Sequence, residues 1–170
     1  MRMLASIVIG ATVVLMLVPL TVAAPPFWDD QINTPKRFKV LVEFGGAAVL
    51  DGETGLVWEQ SPVGGTTVRT WAEAKTFCTQ RSLGNRKGWR LPTIEELASL
   101  VDPNRLDPPL PSGHPFGPLQ EVGYWSATTD AADTSKAWMV DFFNGNVFSG
   151  SKTAGTFVWC VRGGQGADSQ

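Results

Sequence analysis

Gly88-Trp-Arg-Leu-Pro-Thr-Ile-Glu-Glu-Leu97 decides the fold class, because the spacing of its apolar residues changes period partway along. Trp89 and Leu91 alternate with Arg90 as in a half-buried strand. Pro92 ends that strand by removing a backbone donor, and Thr93 with Glu96 forms a capping box that opens a short helix. Ile94, Leu97, Leu100 and Val101 then fall on one helical stripe until Pro103 stops it. Upstream, Thr70 and Glu73 repeat the capping signal, and Trp71, Ala74, Phe77 and Cys78 share one face, so Cys78 is presented to the core. Gly84 and Gly88 bracket a basic turn between the two helices.

Outward from these helices the pattern is β. Phe38-Lys-Val-Leu-Val-Glu-Phe44 alternates as a strand with Val40, Val42 and Phe44 on one face. Ala48 to Trp58 reads as a hairpin of two short strands around Asp51-Gly52 and Gly55. Further strands are expected at Tyr124–Thr128, Ala137–Phe142, Val147–Phe148 and Thr156–Arg162, with a turn at Asn144-Gly145. Between Pro103 and Pro118 six prolines exclude any regular element. Irregular segments of that length are uncommon without a role, so this loop is where function is expected.

The N-terminal run from Met3 to Ala24 is uncharged and largely apolar, with Arg2 before it, Pro19 within it and small residues at its exit. Residues 1–24 are therefore expected to be an export signal, cut after Ala23 or Ala24. A retained anchor is the alternative, since the run approaches the ~20 residues that a bilayer span needs. No cysteine follows the run, which excludes a lipoprotein anchor. Residues 25–37 read as a lead-in, 38–163 as one domain and 164–170 as a disordered tail. A secreted or periplasmic location follows from the signal. Without Arg2 there are 13 basic residues against 16 acidic ones, a balance that gives no general attraction to nucleic acid. Many tryptophans and glycines with few long helical patterns predict a loop-rich α+β domain with an aromatic core.

Five ordered strings carry a resemblance: Asp51-Gly-Glu-Thr-Gly-Leu-Val-Trp58, Thr70-Trp-Ala-Glu-Ala-Lys-Thr-Phe-Cys78, Gly88 to Leu97, Tyr124-Trp-Ser-Ala-Thr128 and Phe157-Val-Trp-Cys-Val-Arg162. Together they resemble the Lcl C-terminal domain, a family named for a collagen-like bacterial adhesin. The resemblance implies a C-type-lectin-like fold, with a small twisted antiparallel sheet, two flanking helices and a long irregular loop. It also implies a disulfide from the first helix to the last strand, matching Cys78 and Cys160. The same pairing follows independently from compartment, because two cysteines in an exported chain are usually joined.

The Arg90-Leu-Pro-Thr93 segment is also similar to one in formylglycine-generating enzymes, which use a late cysteine pair to hold copper. This chain has a single late cysteine, and the expected disulfide consumes it. His114 is the sole histidine, so no histidine metal cluster can form, and its place in a proline-rich loop gives a serine triad little support. Glu95 and Glu96 look like a catalytic carboxylate pair but sit in a first helical turn, where negative charge complements the helix dipole. Calcium-dependent lectins of the fold carry glutamate-proline-asparagine triplets and a tryptophan-asparagine-aspartate string, neither of which occurs here. Asp102, Asp107, Asp130, Asp133 and Asp141 remain oxygen ligands in principle and turn residues by habit. No cofactor or metal is expected, with calcium left open.

Two sets of ligand-binding candidates remain. Asp141, Asn144, Asn146, Ser149 and Lys152 are polar groups around the last hairpin, beside Trp138 and Phe148, as a sugar site requires. Asn144 and Asn146 also suit a tight turn. Arg86 and Lys87, with Arg81 and Arg90, form a basic cluster that suits sulfated glycans, ligands with which the family's adhesin is associated, or simply a solvated helix end. The expected function is a non-catalytic binding module for a polysaccharide or a cell-surface ligand. A protein-interaction or structural envelope component is the alternative, and an oxidase of the formylglycine-generating type a more distant one. Oligomerisation is left open.

Overall fold

The computed structural model describes residues 37–62, 67–120 and 122–164. The expected export segment, the lead-in up to residue 36 and the tail beyond Gly164 lie outside them. Two antiparallel sheets carry the fold. The first has five strands, β1 (Phe38–Val40), β2 (Ala48–Asp51), β3 (Val57–Glu59), β4 (Trp89–Arg90) and β8 (Val161–Arg162), in the order β1-β2-β3-β8-β4. The second has β5 (Gly123–Thr129), β6 (Lys136–Asp141) and β7 (Val147–Ser151) in sequence order. Two helices, α1 (Trp71–Gln80) and α2 (Ile94–Ala98), complete the α+β arrangement. The family resemblance implies one small sheet, and the chain builds two.

The division follows from period-two alternation between two apolar clusters. Val49, Trp58, Tyr124, Val140 and Trp159 enter one cluster, which α2 covers through Leu97 and the turn after it through Leu100, since the helix ends at Ala98, earlier than the apolar stripe predicts. Their chain neighbours Ala48, Trp125, Met139, Val158 and Cys160 enter the other, which α1 covers through Ala74 and Cys78. A segment that runs between the two clusters is buried on both sides, which is why Phe157-Val-Trp-Cys-Val161 shows no polar alternation. Trp159 sits at the centre of the first cluster, with its ring 4.9 Å from Phe116, 5.3 Å from Phe142 and 5.6 Å from Trp58.

The expected strand over 38–44 is shorter than its alternation predicts. The Leu41 N–H bonds to the Ala48 carbonyl at 2.8 Å, and Val42–Phe44 coil into a 3-10 turn that Gly45, at φ 64°, closes. Val42 is left 85% exposed, whereas Phe44 is buried by edge contact with Trp89. Gly84 permits this packing, since a Cβ there would come within 2.5 Å of the Phe44 Cα. The last expected strand is also shorter: Thr156 and Phe157 make single bridges to Arg69 and Tyr124, and regular pairing begins only at Val161. Arg37, assigned to the lead-in, is built into the domain through a bidentate pair with the fully buried Asp51, at 2.9 and 3.0 Å.

Both capping boxes form. The Thr93 hydroxyl accepts the Glu96 N–H at 3.2 Å while the Glu96 carboxylate accepts the Thr93 N–H at 2.8 Å. At α1 the Glu73 carboxylate accepts the Thr70 N–H and hydroxyl, and these bonds hold its pKa below the usual carboxylate range. Thr93→Ala and Thr70→Ala are each expected to cost about 1 kcal/mol, read as a lower melting temperature. Unchanged melting of both variants would contradict the capping assignment.

Candidate functional site

The loop from Pro103 to Pro118 contains no regular element, as expected, yet it belongs to the core as much as to the surface. Leu110 and Phe116 are buried in the first cluster. Two backbone contacts pin the loop: the Gly117 N–H to the Gln60 carbonyl at 2.7 Å, and the Asp107 N–H to the Phe143 carbonyl at 2.9 Å. The second contact joins the loop to the β6–β7 turn. Gly145 tightens the same junction, because at φ 79° a Cβ there would meet Val101 at 2.7 Å and Pro109 at 3.5 Å.

Against this junction lies a crevice of about 420 Å³, lined by Asp107, Pro108, His114, Phe116, Leu119 and Phe142 among others. His114 stacks on Phe116 with ring centroids 5.9 Å apart, and its buried Nδ1 has no hydrogen-bond partner among the described residues. Burial, and to a lesser degree the nearby Arg105 charge, push its pKa down, so the ring is neutral at pH 7. Around the junction, Phe143 is 46% exposed and Leu106 68%. The crevice therefore offers an aromatic wall, a carboxylate at Asp107 and an imidazole able to accept or donate one hydrogen bond.

The hairpin candidates divide. Asp141 ends β6, and Asn144 and Asn146 lie in the following turn that meets the loop. The Asp141 carboxylate accepts the Phe143 N–H at 2.7 Å and the Asn144 side-chain oxygen accepts the Asn146 N–H at 2.9 Å, so both build the turn. The Asn146 side chain is exposed. Ser149 and Lys152 do not join them. Ser149 donates to Asp130 at 2.7 Å. Lys152 follows the far end of β7, beyond a strand that rises ~3.3 Å per residue. There its ammonium donates to the Thr129 hydroxyl and the Thr134 carbonyl, both at 2.9 Å.

The basic cluster is largely occupied by structural partners. Arg81 pairs with the fully buried Glu59 at 2.6 Å, and Arg90 makes a bidentate pair with Glu96, both bonds at 2.7 Å. Burial raises the Glu96 pKa, but the Arg90 hydrogen bonds and the Thr93 N–H outweigh it and the net shift is downward. Arg86 lies over the Phe44 ring and donates to the Glu43 carbonyl. Lys87 is exposed and makes no ion pair among the described residues. Of the five aspartates considered as calcium ligands, Asp102, Asp130, Asp133 and Asp141 each accept the backbone N–H two residues ahead, the geometry of an Asx turn. No three His, Cys, Asp or Glu side chains converge as a metal site among the described residues.

Cys78 and Cys160 are joined, tying α1 to the segment that enters β8 across a separation of 82 residues. Both are fully buried in the second cluster. Sequence reasoning missed His114 as a pocket residue, although His114 and Phe116 alternate in a loop otherwise shaped by prolines. No local pattern signals the buried Glu59, whose partner Arg81 is 22 residues away.

Two antiparallel sheets, two short capped helices, a disulfide from α1 to the segment entering β8 and a long pinned loop thus define a small α+β domain. The chain belongs to the Lcl C-terminal domain family, which matches residues 47–162. None of the curated proteins compared with it matches.

Proposed function

We propose that this chain is an exported, non-catalytic binding module of C-type-lectin-like fold that recognises a polysaccharide or cell-surface ligand where the long loop meets the β6–β7 turn. The observation that carries the reading is the contact of Asp107 with Phe143, which sets the β6–β7 turn against the long loop, next to the crevice that the loop lines. Sugars are held by a few directed polar groups beside an aromatic surface. In the crevice His114 and Asp107 supply the first and Phe116 the second, and on the adjoining turn the exposed Asn146 and Phe143 offer one of each. The lectin-like reading draws support from the disulfide joining the first helix to the last strand region and from the long loop preceding β5. Both cysteines are spent in that disulfide, which favours binding over thiol-dependent copper chemistry. A protein ligand is the second reading, favoured by the exposed Val147 and Phe148 beside the turn. Export rests on the residue 1–24 pattern alone. Among the described residues no helix is long and apolar enough to cross a membrane.

An array of extracellular polysaccharides tests this. The wild-type protein is expected to give hits that free sugar displaces and that leave the sugar intact. His114→Ala with Phe143→Ser is expected to weaken them at least tenfold without lowering the yield of folded protein. Lys87→Ala is expected to leave them unchanged. Loss of binding through Lys87→Ala alone would move the site to the basic turn and make a sulfated glycan the ligand. A blank array with one defined protein partner would replace the polysaccharide by a protein.

A further inference from the structure

A second and larger pocket, of about 560 Å³, lies away from the crevice, between α1, β4 and the end of β5. Lys75, Thr79, Arg90, Leu91, Glu96 and Ala127 line it. Its volume falls in the range of small-molecule sites. Leu91 and Ala127 give it an apolar interior. Arg90 and Glu96 neutralise each other across two 2.7 Å bonds, and Arg90 is further tied to the carbonyls of Leu91 and Gly163. That pair is wall, with no net charge to attract a ligand.

Lys75 is different. Its ammonium lies 3.8 Å from the centroid of the Trp71 ring and makes no ion pair among the described residues. The Lys152 ammonium lies 4.2 Å from the same ring. One indole therefore lies against two cations, within about 8 Å of each other, and of the two Lys75 lines the pocket. An anion in the pocket would give the Lys75 ammonium the charged partner that it lacks among the described residues.

We propose that this pocket binds a small amphipathic anion, a molecule with an apolar body and one carboxylate or sulfonate group, with the body against Leu91 and Ala127 and the charge on Lys75. The site is independent of the crevice and of any glycan bound there. Lys152 raises the local potential and is held in place by Thr129 and Thr134.

The probe is 8-anilinonaphthalene-1-sulfonate, titrated by fluorescence into the folded full chain and displaced with octanoate or with octylamine. One saturable site is expected, displaced by octanoate and not by octylamine. Lys75→Glu is expected to weaken binding at least tenfold and Lys75→Arg to keep it within about twofold, as an exposed ionic contact that also stacks on an aromatic ring would. Thr79→Trp, at an exposed helix position, is expected to fill the pocket and abolish binding. Phe148→Ser, which removes exposed apolar surface elsewhere, is expected to change nothing. No saturable binding, equal displacement by octylamine, loss through Phe148→Ser, or full binding by Lys75→Glu would each overturn the assignment. Lys75→Glu and Lys75→Arg alone decide the outcome if Thr79→Trp fails to fold.

Discussion

Arg81→Met is expected to destabilise the domain by about 3 kcal/mol or more at neutral pH, the usual cost of stripping one partner from a buried ion pair. Glu59 is fully buried, and its carboxylate accepts from the Arg81 Nε at 2.6 Å and from the Cys160 N–H at 3.1 Å. Burial raises its pKa, and Arg81 is the main force opposing that rise. Without Arg81 the carboxyl must stay charged in an apolar site or take up a proton on folding. A carboxyl whose folded pKa lies above its unfolded value of about 4.3 favours the folded state at low pH, and that contribution is lost as pH rises through the folded pKa. The variant's deficit is therefore expected to be smaller near pH 4.5 than at pH 7.5. Urea unfolding at the two pH values checks it, and a deficit that is absent or independent of pH would show that Glu59 does not depend on Arg81.

Removing the disulfide is the second large effect. Cys78→Ala with Cys160→Ala is expected to cost about 2–5 kcal/mol, and the chain-entropy estimate for so long a loop is roughly 4 kcal/mol. Alanine is the right replacement, because serine would bury a hydroxyl without a partner in the second cluster. Cys160 also shares its backbone with the Glu59 contact, so α1, β3 and the segment entering β8 are expected to loosen together. Urea midpoints of oxidised, reduced and double-alanine protein measure the effect. Equal midpoints for all three would contradict a structural role for the bond.

Features set by neighbours in sequence were legible from the residues alone. The capping boxes at Thr70 and Thr93, the β2–β3 hairpin and the β6–β7 turn at Asn144-Gly145 each rest on contacts between residues near in sequence, which composition and spacing encode. The 3-10 turn at Val42–Phe44 was not, because an alternating string does not show that Gly45 and Gly46 will turn the chain early. Glu59–Arg81 and Arg37–Asp51 were invisible for a related reason: a buried charge is tolerated only by a partner that tertiary packing supplies. In the candidate site, the loop and hairpin were each picked out, and their contact through Phe143 was not. Ser149 and Lys152 were grouped with the turn because they follow it closely in sequence. An extended strand carries them away from it.

The central claim is that the loop and the β6–β7 turn form one recognition surface, and amide chemical-shift mapping during titration with a glycan that binds tests it most directly. Perturbations are expected to concentrate at Asp107–Leu119 and Phe143–Asn146, with the five-stranded sheet silent and the glycan recovered intact. Shifts confined to Gly84–Gly88, or to the α1 pocket around Lys75, would contradict it.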